Sequence, residues 1–452
     1  MARLKTYHHK IFAEIDALDT RASAQLHINP RDALTTAEMA RYASEQHNYQ
    51  EGLARSLLLV AQCHLRLANY IDAEPLFVDA ARLAQNTRNQ ALEAETLNAF
   101  GLMRINQGDY AEAMKLCKQS LGICVAIGDE KKQAVALTAI AIAYWNLGDY
   151  ENALEQKLNA LAITRKHGEE AQEAQLLTNI GTVYNQLGDH KSALKFHQEC
   201  LELSRKVKDE MRESISLNNL TFTYWQLGDV RRSSESQQAC LEIKRKLGDR
   251  RGEALSLINL AEIEQYQGHD PAAEKLLTTA LQLLRKVGDK HNEARCLYSL
   301  AKFQIEKKKL PQAIATLEVA LMRVKAIDAK PEQAEILAEL ATVYEQTGQT
   351  EKALTHYKQS FALEKELLQT KAAQKLKVLQ AQFQVEQAER ENKRLEQELE
   401  LKRRSLQVSA LAITNKNETL KAIRRDILEA RRETRKKLRD KLLSNLIVRP
   451  LM

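Results

Sequence analysis

The sequence predicts an all-α protein, in which a superhelical solenoid of helix–turn–helix pairs is followed by one long coiled-coil helix. The composition favours helix, since the chain of 452 residues contains only six Pro and fifteen Gly. Small, apolar and turn-forming residues recur at every fortieth position over most of the chain. Residues 363–449 contain neither Gly nor Pro, and apolar residues return at every seventh position from Val378 to Ile427, interrupted only by Asn392.

Glycine marks one turn of each repeat. It recurs at every fortieth position or at multiples of this spacing, and Asp often follows it, as in Gly148-Asp149. Glycine just past a helix can take the left-handed conformation that ends the helix, and Asp beside it can cap the next one. A second Gly-Asp turn lies half a period away, for example at 128–129 and 248–249. The spacing therefore predicts two helices and two turns in each repeat.

Small residues lie at fixed positions in both helices. An apolar residue and a small residue precede the turn glycine, as Ile140-Ala141, and two more small residues follow it, as Ala153 and Ala160. Small side chains let two helix backbones approach, while the large apolar residue fills the space between them. One pair of helices cannot bury its apolar face alone, so we expect successive pairs to stack.

The order of these residues distinguishes the repeat from HEAT and armadillo arrays, whose periods are similar. The segments "AIAIAYWNLGDYENALEQKLNALAI" at 139–163 and "NIGTVYNQLGDHKSALKFHQECLEL" at 179–203 resemble the tetratricopeptide repeat (TPR). Units of this length are similar to those of the Leu-Gly-Asn-rich G-protein signalling modulators, of kinesin light chains and of many bacterial regulators. The resemblance covers about residues 51–368. It implies a TPR solenoid that binds other proteins, without specifying the ligand.

The pattern divides the chain into four parts. Ala33 and Ala40 keep the repeat register upstream, and Pro30 can occupy the first turn of that helix. We therefore expect degenerate N-terminal capping helices at 1–50, eight 40-residue TPR units at 51–368, a coiled coil at 369–430 and a basic C-terminal tail at 431–452.

The tail carries a heptad pattern. Its a positions predict a dimerisation seam, formed by Val378, Val385, Asn392, Leu399, Leu406 and Ile413. A single Asn at an a position favours a parallel two-stranded register, so we expect a homodimer. The alternative is an amphipathic helix that folds back on the solenoid. Residues 376–427 also resemble the linker of bacterial TPR signalling proteins, where the coil leads to an output domain. Because the segment 428–452 is too short for such a domain, we expect a partner to supply any output.

Asparagines on the first helix of each pair are the candidate ligand-binding residues. In the families named above, Asn at the position of Asn179 contacts the main chain of a bound extended peptide, and the first helices line the concave face. A carboxamide offers one donor and one acceptor, which match a peptide group. The alternative role is a hydrogen bond to the neighbouring helix. The predicted partner-binding residues are Asn98, Trp145, Asn179, Asn185, Asn218, Asn219, Trp225 and Asn259.

The charge is concentrated in the tail. Residues 401–452 contain fifteen Lys and Arg against five Asp and Glu, although the whole chain has a formal charge of only +7. A basic helix can neutralise nucleic-acid phosphates, so a nucleic-acid-associated transcriptional regulator is the alternative function. However, residues 401–452 contain no aromatic side chain on which bases could stack. We therefore expect a scaffold or sensor that acts in signalling or regulation by binding a partner protein or peptide.

Other functions have little support in the sequence. Motifs of phosphate-binding loops, zinc proteases, hydrolases and dinucleotide-binding folds do not occur, so we expect no enzyme, no cofactor and no metal. The six Cys show no metal-ligand spacing and fit a reducing compartment. Residues 1–18 do not resemble a signal peptide, and no apolar stretch is long enough to span a membrane. These observations predict a cytoplasmic protein.

Overall fold

Eighteen α-helices make up the structure, a computed structural model that describes residues 2–447, with the side chains of 10–388 and 390–441. Helices account for 89% of the described residues, and none of these residues lies in a strand. This confirms the predicted all-α solenoid with a long C-terminal helix. The helices are α1 Ala2–Gln25, α2 Pro30–Gln46, α3 Gln50–Arg66, α4 Tyr70–Asn86, α5 Gln90–Gln107, α6 Tyr110–Ile127, α7 Glu130–Asn146, α8 Tyr150–His167, α9 Glu170–Gln186, α10 His190–Lys206, α11 Glu210–Gln226, α12 Val230–Lys246, α13 Arg250–Tyr266, α14 Asp270–Val287, α15 Lys290–Glu306, α16 Leu310–Ala326, α17 Lys330–Gln346 and α18 Thr350–Ile447.

The helices form antiparallel pairs with a strict period. The odd-numbered helices from α3 to α17, here called the first helices, begin at every fortieth position from Gln50 to Lys330. The even-numbered second helices each begin half a period later, and α1 and α2 precede the first full pair. The last second helix is the start of α18, which continues without interruption to Ile447. In the basic tail predicted at 431–452, the side chains of 442–452 lie outside the described part of the chain.

The turns have the conformation that the glycines predict. Gly148 has a φ of 76°, and the side chain of Asp149 accepts the backbone N–H of Asn152 at 3.2 Å. Several turns adopt the same left-handed conformation without glycine, with φ between 51° and 59°. These residues are Asn48, Ala68, Arg88, Lys208, Lys308 and Asp328. The packing of the pairs therefore imposes the turn even where the residue disfavours it.

Small residues permit the close approach of paired helices. Ala153 and Ala160 are fully buried, and Ala160 belongs to a cluster formed by α7, α8, α9 and α10. A Cβ added at Gly181 in α9 would lie only 2.5 Å from a ring atom of His197 in α10. The small positions of the repeat thus set the distance between helices, as predicted from the sequence.

The apolar core is divided along the array. Buried apolar residues cluster within 54–116, within 134–200 and within 241–353. The pair α11–α12 contributes only Leu241 to these clusters, and it buries many polar side chains, namely Ser214, Ser216, Thr221, Thr223, Ser233 and Gln237. Gln237 occupies the repeat position that Leu277 and Leu317 hold in the following pairs, so this pair buries less apolar surface at that position than the pairs that follow it.

A regular series of ion pairs, here called the ladder, connects each pair of helices to the next pair. An Arg near the end of a second helix contacts a Glu in the next first helix, eight residues later. The ladder consists of Arg165–Glu173 at 2.7 Å, Arg205–Glu213 at 2.7 Å, Arg245–Glu253 at 2.9 Å and Arg285–Glu293 at 3.0 Å. Its last two carboxylates are well buried, since the side chains of Glu253 and Glu293 are 7% and 6% exposed. These contacts fix each pair against the next.

Residues up to Gln382 form one compact unit, and residues from Phe383 onward form a second. Within the first unit, α18 returns to the solenoid at the end of α7, where the side-chain amide of Gln382 donates to the carbonyl of Leu147 at 2.5 Å. Leu147 is 3% exposed, whereas the equivalent Leu187 and Leu227 are 40% and 38% exposed. In the second unit the helix of α18 continues, and most of its described side chains are exposed.

Candidate functional site

The first helices form one face of the solenoid, here called the inner face, along which several depressions open. The apolar depression, about 220 Å³, lies between α5, α7 and α9, and the Asn–Trp depression, about 370 Å³, between α11 and α13. The charged depression, about 480 Å³, lies between α13, α15 and α17. Their lining residues lie almost entirely on first helices, as expected for the concave side of such an array.

The Asn–Trp depression brings together three of the predicted partner-binding residues. Asn218 and Trp225 reach it from α11, and Asn259 reaches it from α13. The side-chain amide of Asn259 donates to the Asn218 carboxamide oxygen at 3.5 Å, a weak contact. The Trp225 ring is half-buried and packs edge-on against Tyr266, with 5.0 Å between the ring centroids. Carboxamides and an accessible aromatic ring therefore line one wall.

The apolar depression contains two further predicted residues, Asn98 and Asn179. Asn98 is 8% exposed, and its carboxamide oxygen is buried without a hydrogen-bond partner among the described residues. The half-buried Asn179 accepts only a long bond of 3.4 Å from Gln175 of its own helix. In the described part of the chain, neither side chain is held by a neighbouring helix.

The other three predicted residues have different surroundings. Both ends of the Asn185 carboxamide have hydrogen-bond partners. Its N–H donates to the Thr223 hydroxyl at 2.9 Å, and its oxygen lies 3.0 Å from Nδ1 of His190. Asn219 is half-buried and its carboxamide makes no hydrogen bond to any described residue. Trp145 packs edge-on against Tyr150 at 5.0 Å between centroids. Asn185 thus connects neighbouring pairs of helices, whereas Asn219 is unengaged.

Sequence reasoning missed the charged depression. Arg295, Tyr298 and Lys302 of α15 line it together with Glu262 of α13. Burial raises the pKa of Tyr298 to about 12, and the nearby carboxylates of Glu339 and Glu335 add to this shift. Burial also raises the pKa of Glu262, against the opposing charges of Arg295 and Lys302. Tyr298 lies two repeats after Asn218 at the same position, so the repeat register could have identified it.

The predicted seam residues of the tail differ in exposure. Val378 is half-buried and Val385 is 5% exposed, while Asn392 is exposed. Further along the helix Leu399, Leu406 and Ile413 are 66%, 71% and 61% exposed. The second unit therefore presents an apolar stripe of large side chains at heptad spacing.

The thiols offer little reactivity. All six Cys are unpaired and buried. Burial raises the pKa of the Cys117 and Cys296 thiols to about 12, which keeps them protonated and therefore poorly nucleophilic. Among the described residues, no group of three or more His, Cys, Asp or Glu is arranged to hold a metal ion, and no helix is long and apolar enough to cross a membrane.

The repeat matches two known family models. A family model of the tetratricopeptide repeat matches five overlapping segments, 92–166, 132–206, 172–246, 212–286 and 251–326, and a second such model matches 336–370. Together they cover more than half of the chain. No curated protein sequence matches it significantly.

Several solved structures are similar to this chain at low sequence identity. The apo form of the quorum sensor NprR from B. thuringiensis is similar with a TM-score of 0.52 and 14% identity, over 78% of this chain and 99% of that chain. Aspartyl phosphate phosphatase F from Bacillus subtilis has a TM-score of 0.51 and 12% identity, over 77% and 94%. A Podosopora anserina protein with kinesin-light-chain TPR-like repeats has a TM-score of 0.38 and 19% identity, over 43% and 96%.

Proposed function

The chain belongs to the tetratricopeptide-repeat family, and we propose that it is a non-catalytic scaffold or sensor whose inner face binds an extended segment of a partner protein. The units at 51–368 supply this face, and the tail at 369–430 joins two chains. A cytoplasmic location and a role in signalling are part of the proposal. NprR is named a quorum sensor, which is compatible with this role.

The unengaged carboxamides carry the proposal. If the Asn series served to connect helices, each side chain would hold a partner on the next first helix, as Asn185 does through Thr223. Asn219 has no such partner among the described residues, and the bond of Asn259 to Asn218 is at the limit of hydrogen-bonding distance. A half-buried carboxamide without partners is available to pair with a peptide group.

Binding to selected peptides tests this function. We expect a twelve-residue peptide, selected from a phage-displayed random library on the full chain, to bind the inner face. Asn219→Ala should then weaken its affinity by about 1–2 kcal/mol without lowering the melting temperature, because the free protein loses no hydrogen bond. Trp225→Ala should weaken it more, as aromatic anchors usually do. Fluorescence anisotropy and thermal melts measure the two effects.

Asn185→Ala is the matched control. It removes the bonds to Thr223 and His190, so we expect a lower melting temperature and an unchanged peptide affinity. The proposal fails if no peptide is selected, or if Asn219→Ala lowers stability and leaves affinity intact.

Dimerisation is the second part of the proposal. An apolar stripe of Leu399, Leu406 and Ile413 costs free energy when it stays in water, and a second copy of the same helix would bury it. Lys402 occupies a d position of the same seam and pairs with Glu398 of its own helix at 2.8 Å. The resulting molecule would carry two inner faces and bind a repeated partner with higher apparent affinity.

The alternative function uses the basic part of α18. Arg431, Arg432 and Arg435 are exposed, and none of them forms an ion pair with a described residue. Such a helix can bind phosphates by releasing counterions, which makes affinity fall steeply with salt. Binding of duplex DNA that persists at physiological salt would favour this alternative, while peptide binding to the inner face should depend much less on salt.

A further inference from the structure

We propose that the apolar depression between α5, α7 and α9 is a specificity pocket for a branched aliphatic side chain, such as leucine, of the bound segment. This proposal rests on the function proposed above and names the chemistry that one part of the inner face selects. Its wall is aliphatic, with Leu102, Val135, Ile142 and Leu176 among the lining residues. None of the lining residues is charged.

Unpartnered polar groups inside the depression indicate that it is built to receive something. Thr164 of α8 is 2% exposed, and its hydroxyl is buried without a hydrogen-bond partner in the described structure. Other buried or half-buried helical threonines here bond to the carbonyl four residues earlier, as Thr138 does to Ala134 at 2.8 Å. The carboxamide oxygen of Asn98 is equally unpartnered. Such groups carry a free-energy cost in the free protein.

Size and polarity determine the kind of occupant. Pockets for drug-sized ligands are usually about 300–1,000 Å³, and this depression, at about 220 Å³, is smaller. It suits one side chain rather than a cofactor. A charged side chain would lose hydration and find no counter-charge in the lining. An aliphatic side chain, in contrast, can fill the depression against its apolar wall.

The neighbouring depressions have charged linings, so the preference for an aliphatic side chain is confined to the apolar depression. The Asn–Trp depression includes Glu262 and Arg295, and the charged depression includes Arg295 and Lys302. Polar or charged side chains can find partners there. The inner face thus changes from aliphatic at α5–α9 to charged at α13–α17, so the bound segment should place its aliphatic residue at the first of these positions.

A fragment titration tests the pocket directly. The full chain, labelled with ¹³C at Ile, Leu and Val methyl groups, is titrated with N-acetyl-leucine-N′-methylamide and followed by NMR. We expect saturable shifts of the methyl signals of Leu102, Val135, Ile142 and Leu176. The lysine analogue should bind at least about tenfold more weakly, because the pocket offers no counter-charge.

Two variants separate the pocket from the rest of the surface. Val135→Gln should abolish the leucine-dependent shifts, because it places a polar group in the aliphatic wall. Val125→Gln on α6 is the matched control and should retain them. The two valines are 47% and 59% exposed, so both variants should fold, which thermal melts verify.

The proposal is wrong if no saturable shift occurs, if the lysine analogue binds equally well, or if Val135→Gln behaves as the parent. These outcomes are independent of the peptide experiment. Peptides that bind in an Asn219-dependent manner, but insensitive to Val135→Gln, would preserve the proposed function and remove only this pocket. Conversely, if the leucine derivative binds but no peptide binds in an Asn219-dependent manner, the pocket would stand and the proposed function would fail.

Discussion

At the scale of single residues, the buried carboxyl of Asp19 in α1 couples stability to pH. Asp19 is 2% exposed, and the Ser56 hydroxyl donates to it at 3.0 Å. Burial raises its pKa from 3.8 to about 6, although the bond from Ser56 and the charge of Arg55 oppose the shift. The folded chain therefore binds this proton more tightly than the unfolded chain. Its stabilising effect is complete below about pH 4 and is lost as pH rises through about 6.

We predict that Asp19→Asn stabilises the protein above pH 6, by about 1–3 kcal/mol, because a neutral carboxamide avoids burying a charge. The gain over the parent should shrink as the pH falls from 6 to 4. Denaturant unfolding at pH 4.5 and 7.5 measures it. Asp16→Asn is the control: this half-exposed carboxylate pairs with Arg55 at 3.0 Å, so the variant should lose a little stability at pH 7.5. Equal stability of Asp19→Asn and parent at pH 7.5 would contradict the prediction.

Ala68 shows how a single turn residue can be strained by the repeat. Its φ of 59° is left-handed, and it occupies the place that glycine holds in other turns. We predict that Ala68→Gly stabilises the chain by about 0.5–1 kcal/mol, the relief of strain being partly offset by the entropy of glycine in the unfolded chain. Gly148→Ala, at a φ of 76°, should have the opposite effect. Thermal melts of both variants check the pair, and a destabilising Ala68→Gly would contradict it.

At the scale of elements, α18 leaves room for both arrangements that the sequence presented as alternatives, of which dimerisation remains a proposal. The helix contacts the solenoid through Gln382 and the carbonyl of Leu147, as in the folded-back arrangement. Beyond that point Leu399 and Leu406 are 66% and 71% exposed, as a dimer seam requires before its partner binds. The two arrangements concern different parts of one helix and are compatible.

We predict that Leu399→Asp combined with Leu406→Asp converts a dimer to a monomer, because each change places a charge in the apolar seam. Light scattering gives the mass. Leu401→Asp combined with Val408→Asp is the matched control, since these side chains are 67% and 68% exposed and lie on the same helix away from the seam. The control should remain dimeric. A parent that is already monomeric, or two variants that dissociate alike, would rule out the seam.

At the scale of the whole molecule, the stability of a solenoid is the sum of its repeats and of their interfaces. From the pair α11–α12, only Leu241 belongs to the buried apolar clusters at 134–200 and 241–353. Gln237 lies there with its carboxamide oxygen buried and without a partner in the described structure, where the next pair has Leu277. This pair should open more readily than its neighbours.

We predict that the amides of α11 and α12 exchange with deuterium faster than those of α9 and α13, as measured by mass spectrometry. Gln237→Leu should slow this exchange, because it removes the buried, unpartnered carboxamide oxygen and adds the apolar side chain of the following repeat, which outweighs the long 3.3 Å bond that Gln237 donates to the Ser256 carbonyl. The reciprocal Leu277→Gln should create a second point of fast exchange in α14. Uniform exchange along the array in the parent would contradict the prediction.

The sequence by itself determined the architecture. The 40-residue period, the Gly-Asp turns and the small positions follow from local conformational preferences and from the need to stack one pair on the next. Even turns without glycine, such as the one at Lys208, could be located from the register alone. The ion-pair ladder was not predicted, although the same register contains it, since Arg245 and Glu253 belong to a series that returns in successive repeats.

Only the tertiary structure decided which side chains are free. The carboxamides of Asn185 and Asn219 looked equivalent as candidates, yet Thr223 and His190 hold the first and no described residue holds the second. The pocket near Thr164 arises from three first helices and one second helix, and its lining extends along the chain from Asn98 to Asn179. A repeat pattern gives the position of a residue within its own unit. Hydrogen bonding and burial depend instead on distances between separate repeats, which the pattern does not give.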